Sequence, residues 1–259
     1  MDPHAPTALL VDDHDAFQHQ LAKVFDPADQ SNSPTPPTGG VRFKYVKTPE
    51  DAARLLQKGW TPDYAFVDFH FKDRQQTGLV VMGELAAHSP GTVKVVLTTL
   101  DEKGRGLYAV ASYRWFGVKL IVDKSCDHRT FAAIVNGENV TPPAWQIKLE
   151  RHAGLLDDLF QEPTWAAIWA TWPDTRGNER AILDKVPGVT KPAINKFKNN
   201  ATEAIAEYRK IFGATMVHVE RGNKERLLPI TEFAKNNETF FQAPELPAIL
   251  DVAKPWNKR

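Results

Sequence analysis

Two apolar runs in this sequence deliver carboxylates. "ALLV" (8–11) is followed at once by Asp12 and Asp13, and "YAFVD" (64–68) ends in Asp68. Two further runs deliver other groups: "VKVVLT" (93–98) ends in Thr98, and "VKLIV" (118–122) is followed by Asp123 and Lys124. Short continuous apolar runs of this kind read as buried strands. In an open parallel sheet, ligands gather at the carboxyl ends of the strands, where the strand order reverses. Three carboxylates, a hydroxyl and an ammonium therefore converge on one rim. Clustered carboxylates repel, and a hard divalent cation with oxygen ligands, such as Mg2+, relieves the repulsion. A hydroxyl and a lysine opposite that cation suit a phosphoryl group.

The elements that must position these groups follow from periodicity. With "VRFKYV" (41–46) there are five strand-like runs between residues 8 and 122. Helical spacing separates them, as in Ala52, Leu55 and Leu56, or Leu79, Met82, Leu85 and Ala86. Such alternation predicts an α/β domain, a doubly wound five-stranded parallel sheet with helices on both faces. "DQSNSPTPPTGG" (29–40) reads as a long loop. Asp15 is placed to start the helix after the first strand, where a carboxylate meets the positive helix end.

The order and spacing of Asp12, Asp13, Asp68, Thr98 and Lys124 resemble the receiver domain of bacterial two-component response regulators, over roughly residues 7–137. The resemblance implies a flavodoxin-like fold, with Asp68 as the phosphoryl acceptor. It implies Mg2+ held directly by Asp13, Asp68 and the backbone carbonyl of His70, with Asp12 acting mainly through a bound water. Thr98 and Lys124 would contact the phosphoryl group. It also implies a sensor histidine kinase as partner. The chain departs from the family at three places. Thr99 follows Thr98 where a small residue is usual, Ile121 stands where an aromatic switch residue is usual, and the loop "DFHFKDRQQTG" lacks the common proline. The usual threonine–aromatic coupling therefore does not follow. Trp115 and Phe116 are placed either on an output face or in the core.

After "TPPAW" (141–145) the alternation stops. Three parts are expected: a receiver domain over 1–140, a linker helix over 141–163, and an output domain over 164–259. The linker carries Trp145, Leu149, His152, Leu156 and Leu159 or Phe160 on one stripe, a candidate for pairing two chains into a homodimer. "RAILDKVPGVTKPAINKFKN" (180–199) resembles a helix-turn-helix, with Leu183, Gly188, Val189, Ile194 and Phe197 at its core and turn positions. Asp184 and Pro187 depart from that pattern. Thr190 would cap the second helix, and the stripe Ile194, Phe197, Ala201, Ile205 and Tyr208 would face inward. The opposite face carries Pro192, Asn195, Lys196 and Asn199, residues 190–200 hold three lysines and no acid, and Thr190, Lys191, Asn195, Lys196 and Asn199 are the candidate DNA contacts. Asparagine reads adenine and lysine reaches guanine or phosphate, so double-stranded DNA is the expected partner of a mainly α output domain. "TMVHVERGNKERLLPI" (215–230) reads as a hairpin whose Arg221, Lys224 and Arg226 would form a basic wing.

Composition bounds the alternatives. Net charge is zero, so a nucleic-acid surface must be local. A lone cysteine, Cys126, excludes an intrachain disulfide and fits a reducing, cytoplasmic setting. No run reaches the ~18 apolar residues of a membrane span. Two other readings compete with a regulator that is not an enzyme. One is a degenerate receiver that acts without phosphorylation, as a protein-interaction or DNA-binding module. The other is a haloacid-dehalogenase-like phosphatase, for which "VDDHDAF" offers Asp-x-Asp but Phe17 where Thr or Val is wanted.

Overall fold

The computed structural model describes residues 5–15, 41–72, 76–98, 106–118, 120–126, 128–142, 144–151, 154–212 and 223–257. The loop expected at 29–40 lies outside these residues, as do Thr99 and His152. The chain divides into two compact units, Met1–Leu100 with Ser112–Pro143, and Asp101–Ala111 with Ala144–Arg259.

The first unit is built on five strands: β1 (Thr7–Val11), β2 (Arg42–Val46), β3 (Tyr64–Asp68), β4 (Val93–Thr98) and β5 (Leu120–Asp123). They pair in the order β2-β1-β3-β4-β5, every pair parallel. The expected doubly wound sheet is present, and its order reverses between β1 and β3, the switch point where this topology opens a crevice. Alternate residues explain why the strands read as continuous apolar runs. Ala8, Leu10, Phe66, Val95, Leu97 and Val122 join one core cluster, together with Phe131, Ile134 and Val135 of a helix at His128–Val135 (α4). Their neighbours Leu9, Val11, Val67, Val96 and Ile121 are equally inaccessible. The inner strands β1, β3 and β4, buried on both faces, leave no polar alternation to see, whereas the edge strand β2 alternates, with Arg42 and Lys44 exposed.

Between the strands in the chain lie α1 (Pro49–Gln57), α2 (Gly78–His88) and α3 (Gly106–Phe116), of which α3 belongs to this unit only from Ser112 onward. Thr48 caps α1 by accepting the Asp51 backbone N–H at 3.1 Å, and Pro49 occupies its first turn. Thr77 caps α2. The fifth strand begins at Leu120, two residues later than the apolar run suggested. Val118 is buried but precedes the ladder. Trp115 and Phe116, at the end of α3, are neither core nor fully exposed.

The second unit is helical throughout its described residues. It holds α5 (Ala144–Arg151), α6 (Leu155–Leu159), α7 (Trp165–Thr175), α8 (Glu179–Lys185), α9 (Lys191–Phe212), α10 (Asn223–Asn236), α11 (Glu238–Phe241) and α12 (Leu246–Ala253). Its centre is Phe197. Trp165, Trp169 and Trp172, one helical stripe on α7, place their rings 5.3, 4.8 and 5.2 Å from Phe197. Trp169 also stacks on Phe241 at 4.7 Å and donates its indole N–H to the Leu159 carbonyl. These four rings are wholly inaccessible to solvent, and burial of each side chain contributes about 1.5–3 kcal/mol.

Two expectations fail here. The single linker helix is two helices, α5 and α6, and Leu149, Leu156, Leu159 and Phe160 are buried in the helical unit's own core rather than left as a stripe for a second chain. The second arm of the expected hairpin is the start of α10, with Pro229 inside it. "RLLPI" is too short to distinguish a strand from a helix, and the continuation settles it: Ile230, Phe233 and Ala234 are buried at helical spacing. Lys224 and Arg226 thus lie on the first turns of a helix, not at a hairpin tip. Residues 215–222 lie outside the described ones.

Candidate functional site

The rim at the carboxyl ends of β1, β3, β4 and β5 assembles as the sequence predicts. Asp12 and Asp68 are almost wholly buried, Thr98 likewise, and Lys124 keeps only 11% of its side chain exposed. The Lys124 ammonium lies 2.6 Å from Asp12 Oδ2 and 2.6 Å from Asp68 Oδ2. Backbone pairing sets this up: Thr98 stands opposite Asp123 in the β4–β5 ladder, and the Lys124 N–H donates to the Thr98 carbonyl at 3.1 Å. Asp68 Oδ1 accepts the N–H of Phe69 at 2.7 Å, so one carboxylate oxygen is held by backbone and the other by lysine. Asp13 is tied to the segment after β3, accepting the Lys72 N–H at 2.7 Å. His70, two residues beyond Asp68, is half-buried on that same segment. Asp15 pairs with Lys47 at 2.6 Å, away from the cluster's core.

One group here was not singled out by sequence reasoning. His14 turns its ring toward the acids, with Nδ1 3.0 Å from Asp13 Oδ1 and 3.2 Å from Asp12 Oδ1. Its position directly after an acidic pair was the only available signal. Asp12, Asp13, His14 and Asp68 each offer one ligand atom, all within 4.8 Å of one another.

The charge balance explains what the cluster wants. Three carboxylates face one ammonium. Two unit charges about 4 Å apart interact by about 4 kcal/mol at an effective dielectric near 20. Burial pushes the Asp68 carboxyl above its ordinary range; Lys124 pulls it back, and the charge of Asp12 pushes it further up. A divalent ion would remove that repulsion. The donor set, all oxygen apart from one imidazole nitrogen, fits such an ion.

On the helical unit, the turn between α8 and α9 takes the form expected of a helix-turn-helix. Asn178 caps α8 by accepting the Ala181 N–H at 3.1 Å, Gly188 turns the chain at φ 78°, and Thr190 stands before α9. Val189, Ile194, Phe197, Ala201, Ile205 and Tyr208 are buried as predicted. Leu183 is not: it is 39% exposed, and its neighbour Ile182 fills the core position. α8 is rotated by one residue from the pattern, which also puts Asp184 harmlessly in solvent. Thr190, Lys191, Asn195, Lys196 and Asn199 are all exposed.

Tertiary structure adds acids that the local sequence lacks. Lys196 pairs with Glu162 at 2.7 Å, and Lys198 and Lys191 pair with Glu179 at 2.8 and 3.6 Å. Lys198, then Lys191, holds the Glu179 carboxyl below its usual value. The outward face of α9 is thus close to neutral in this arrangement.

No protein-family profile matches the chain, and no curated protein matches it. Solved structures are similar in shape. The response regulator RcsB in complex with DNA is 14% identical and aligns over 90% of this chain and 99% of its own, with a TM-score of 0.49. A response regulator receiver protein from Sinorhizobium medicae is 18% identical over 52% of this chain and 94% of its own, TM-score 0.39. The isolated receiver domain of RcsB from Salmonella enterica is 18% identical over 56% and 99%, TM-score 0.38.

Proposed function

We propose that this chain is a phosphorylation-responsive regulator: a receiver unit that accepts a phosphoryl group on Asp68, and a helical unit that binds double-stranded DNA through α9. The observation that carries the first half is the placement of Lys124, within 2.6 Å of both Asp12 and Asp68 at the switch point of the sheet. That placement makes Asp68 a nucleophile with a cation beside it.

An Asp68 oxygen attacks the phosphorus of a phosphohistidine on a sensor kinase, or of a small acyl phosphate. The bond to the donor breaks as the acyl phosphate on Asp68 forms. Lys124 moves its ammonium from the carboxylate to a phosphoryl oxygen, retaining Asp12 as its anchor. Thr98, held beside it by the β4–β5 ladder, donates its hydroxyl to a second oxygen. Asp12, Asp13 and Asp68, with the carbonyl of His70, would hold Mg2+, which neutralises charge on the transferring group. Buried Ile121 replaces an aromatic at the usual switch position, so the signal leaves the site by another route than rotation of that ring.

For the second half, the support is the separation of faces on α9 and the glycine turn before it. The surface ion pairs of Lys191, Lys196 and Lys198 are each worth only about 0–1 kcal/mol, so phosphate can displace them. One motif buries little DNA surface, and we infer a homodimer for specific binding. The setting is cytoplasmic on this reading; among the described residues no helix is long and apolar enough to cross a membrane.

The test is incubation with Mg2+ and acetyl phosphate, read by intact mass, together with selection from a random duplex library. A single phosphoryl gain in wild type, absent in Asp68→Asn, is expected. A gain retained in that variant refutes the assignment of Asp68, and a library that enriches no sequence turns the helical unit into a protein-binding module.

A further inference from the structure

We propose that His14 is a fourth side-chain ligand of the Asp12–Asp13–Asp68 centre and makes it prefer a borderline divalent ion such as Co2+ over Mg2+. The inference rests on the reading of that rim as a metal centre and names the selectivity of the same site.

The first support is direction. About half of the His14 side chain is exposed, yet its Nδ1 turns inward, 3.0 Å from Asp13 Oδ1 and 3.2 Å from Asp12 Oδ1. Adjacent ligand atoms around an octahedral ion with bonds of about 2.1 Å lie about 3 Å apart. The imidazole nitrogen and the two carboxylate oxygens are therefore spaced like neighbouring vertices of one coordination sphere. The second support is rigidity. The His14 backbone N–H donates to Asp12 Oδ1 at 2.8 Å, and Asp12 is fully buried and anchored by Lys124. The base of the ring is thus fixed to the carboxylate it would share an ion with. The third is donor chemistry. Asp12, Asp13, His14 and Asp68 bring one nitrogen and carboxylate oxygens within 4.8 Å. Mg2+ takes oxygen and gains little from imidazole, whereas the later first-row ions gain a strong ligand.

The experiment is calorimetric titration of the full chain with MgCl2 and with CoCl2 at one fixed pH, for wild type, His14→Ala and Asp13→Ala. Wild type should bind Co2+ more tightly than Mg2+. His14→Ala should lose Co2+ affinity by about tenfold or more, since even groups that only support a ligand are worth that much, and keep its Mg2+ affinity. If His14→Ala binds both ions as wild type does, or loses both equally, the inference is overturned while the metal centre stands. If Asp13→Ala also binds both ions as wild type does, the metal centre itself fails, and the inference with it.

Discussion

The backbone of Gly78, at the first turn of α2, runs against the carbonyl oxygen of Asp68: a Cβ placed at Gly78 would lie 2.0 Å from that oxygen and 3.2 Å from Val67 Cγ1. The Gly78 N–H donates to the Phe69 carbonyl at 3.2 Å, which keeps the two segments in contact. The end of β3 has no room to retreat, because Asp68 continues the ladder opposite Leu97.

Gly78→Ala must therefore push α2 away or drag Asp68 out of line. Overpacking of this kind costs about 1–3 kcal/mol. Urea unfolding should show that loss, and phosphoryl uptake from acetyl phosphate should slow relative to wild type. Unchanged stability would mean that the α2 start is free to shift.

Asp68 should itself be a burden on stability. Its folded-state pKa is raised above the ordinary 3.8, chiefly by burial, so the folded form holds the proton more tightly than the unfolded one. Stability on this account falls as pH rises through the window from 3.8 to the raised value, and the full cost persists at neutral pH. Asp68→Asn removes a charge while leaving Lys124 its bond to Asp12. Without divalent ions, the variant should be more stable than wild type at neutral pH, and the advantage should shrink on acidification toward the lower end of that window. Urea midpoints at several pH values measure it; an Asn variant less stable throughout would show that the lysine bond outweighs burial.

Phe197 should be the most sensitive position in the helical unit. Its ring is enclosed by three tryptophans, so Phe197→Ala leaves a cavity lined by rigid side chains that cannot collapse into it. A cost of about 3–5 kcal/mol is expected. Near-ultraviolet circular dichroism, dominated by those tryptophans, should lose its fine structure.

If α9 binds DNA as proposed, Glu162, which pairs with Lys196, competes with DNA for that lysine. Glu162→Gln frees that lysine, and duplex affinity should rise by about fivefold at most, the worth of one surface ion pair. Lys196→Ala should instead weaken binding across sequences and lower the salt slope by about one. Fluorescence anisotropy against salt concentration reads both. A Glu162→Gln protein that binds no better would place Lys196 away from the phosphates.

The sheet-bearing half was legible in the linear sequence because its inner strands are buried on both faces. Ala8 to Val11 and Tyr64 to Val67 are unbroken apolar runs, and the acids follow where each of these strands leaves the core. Asp12, Asp68, Thr98 and Lys124 are therefore marked by position alone. The stripe on α9 was legible for the same reason at a different period. What escaped the sequence depends on approach between segments that are remote in the chain, or on the direction of a ring. Gly78 matters because α2 passes over Asp68, which no local pattern reveals. His14 matters because its imidazole folds back on the acids rather than outward. The three lysines of α9 looked unopposed until Glu162 and Glu179 were brought beside them from other helices. The stretch after Arg226 carried too few apolar residues to choose between two periods, and packing of Ile230, Phe233 and Ala234 into the helical core made that choice. Burial against water follows from composition and period, but close approach, charge pairing and the fate of short ambiguous segments are decided only when the remote surfaces meet.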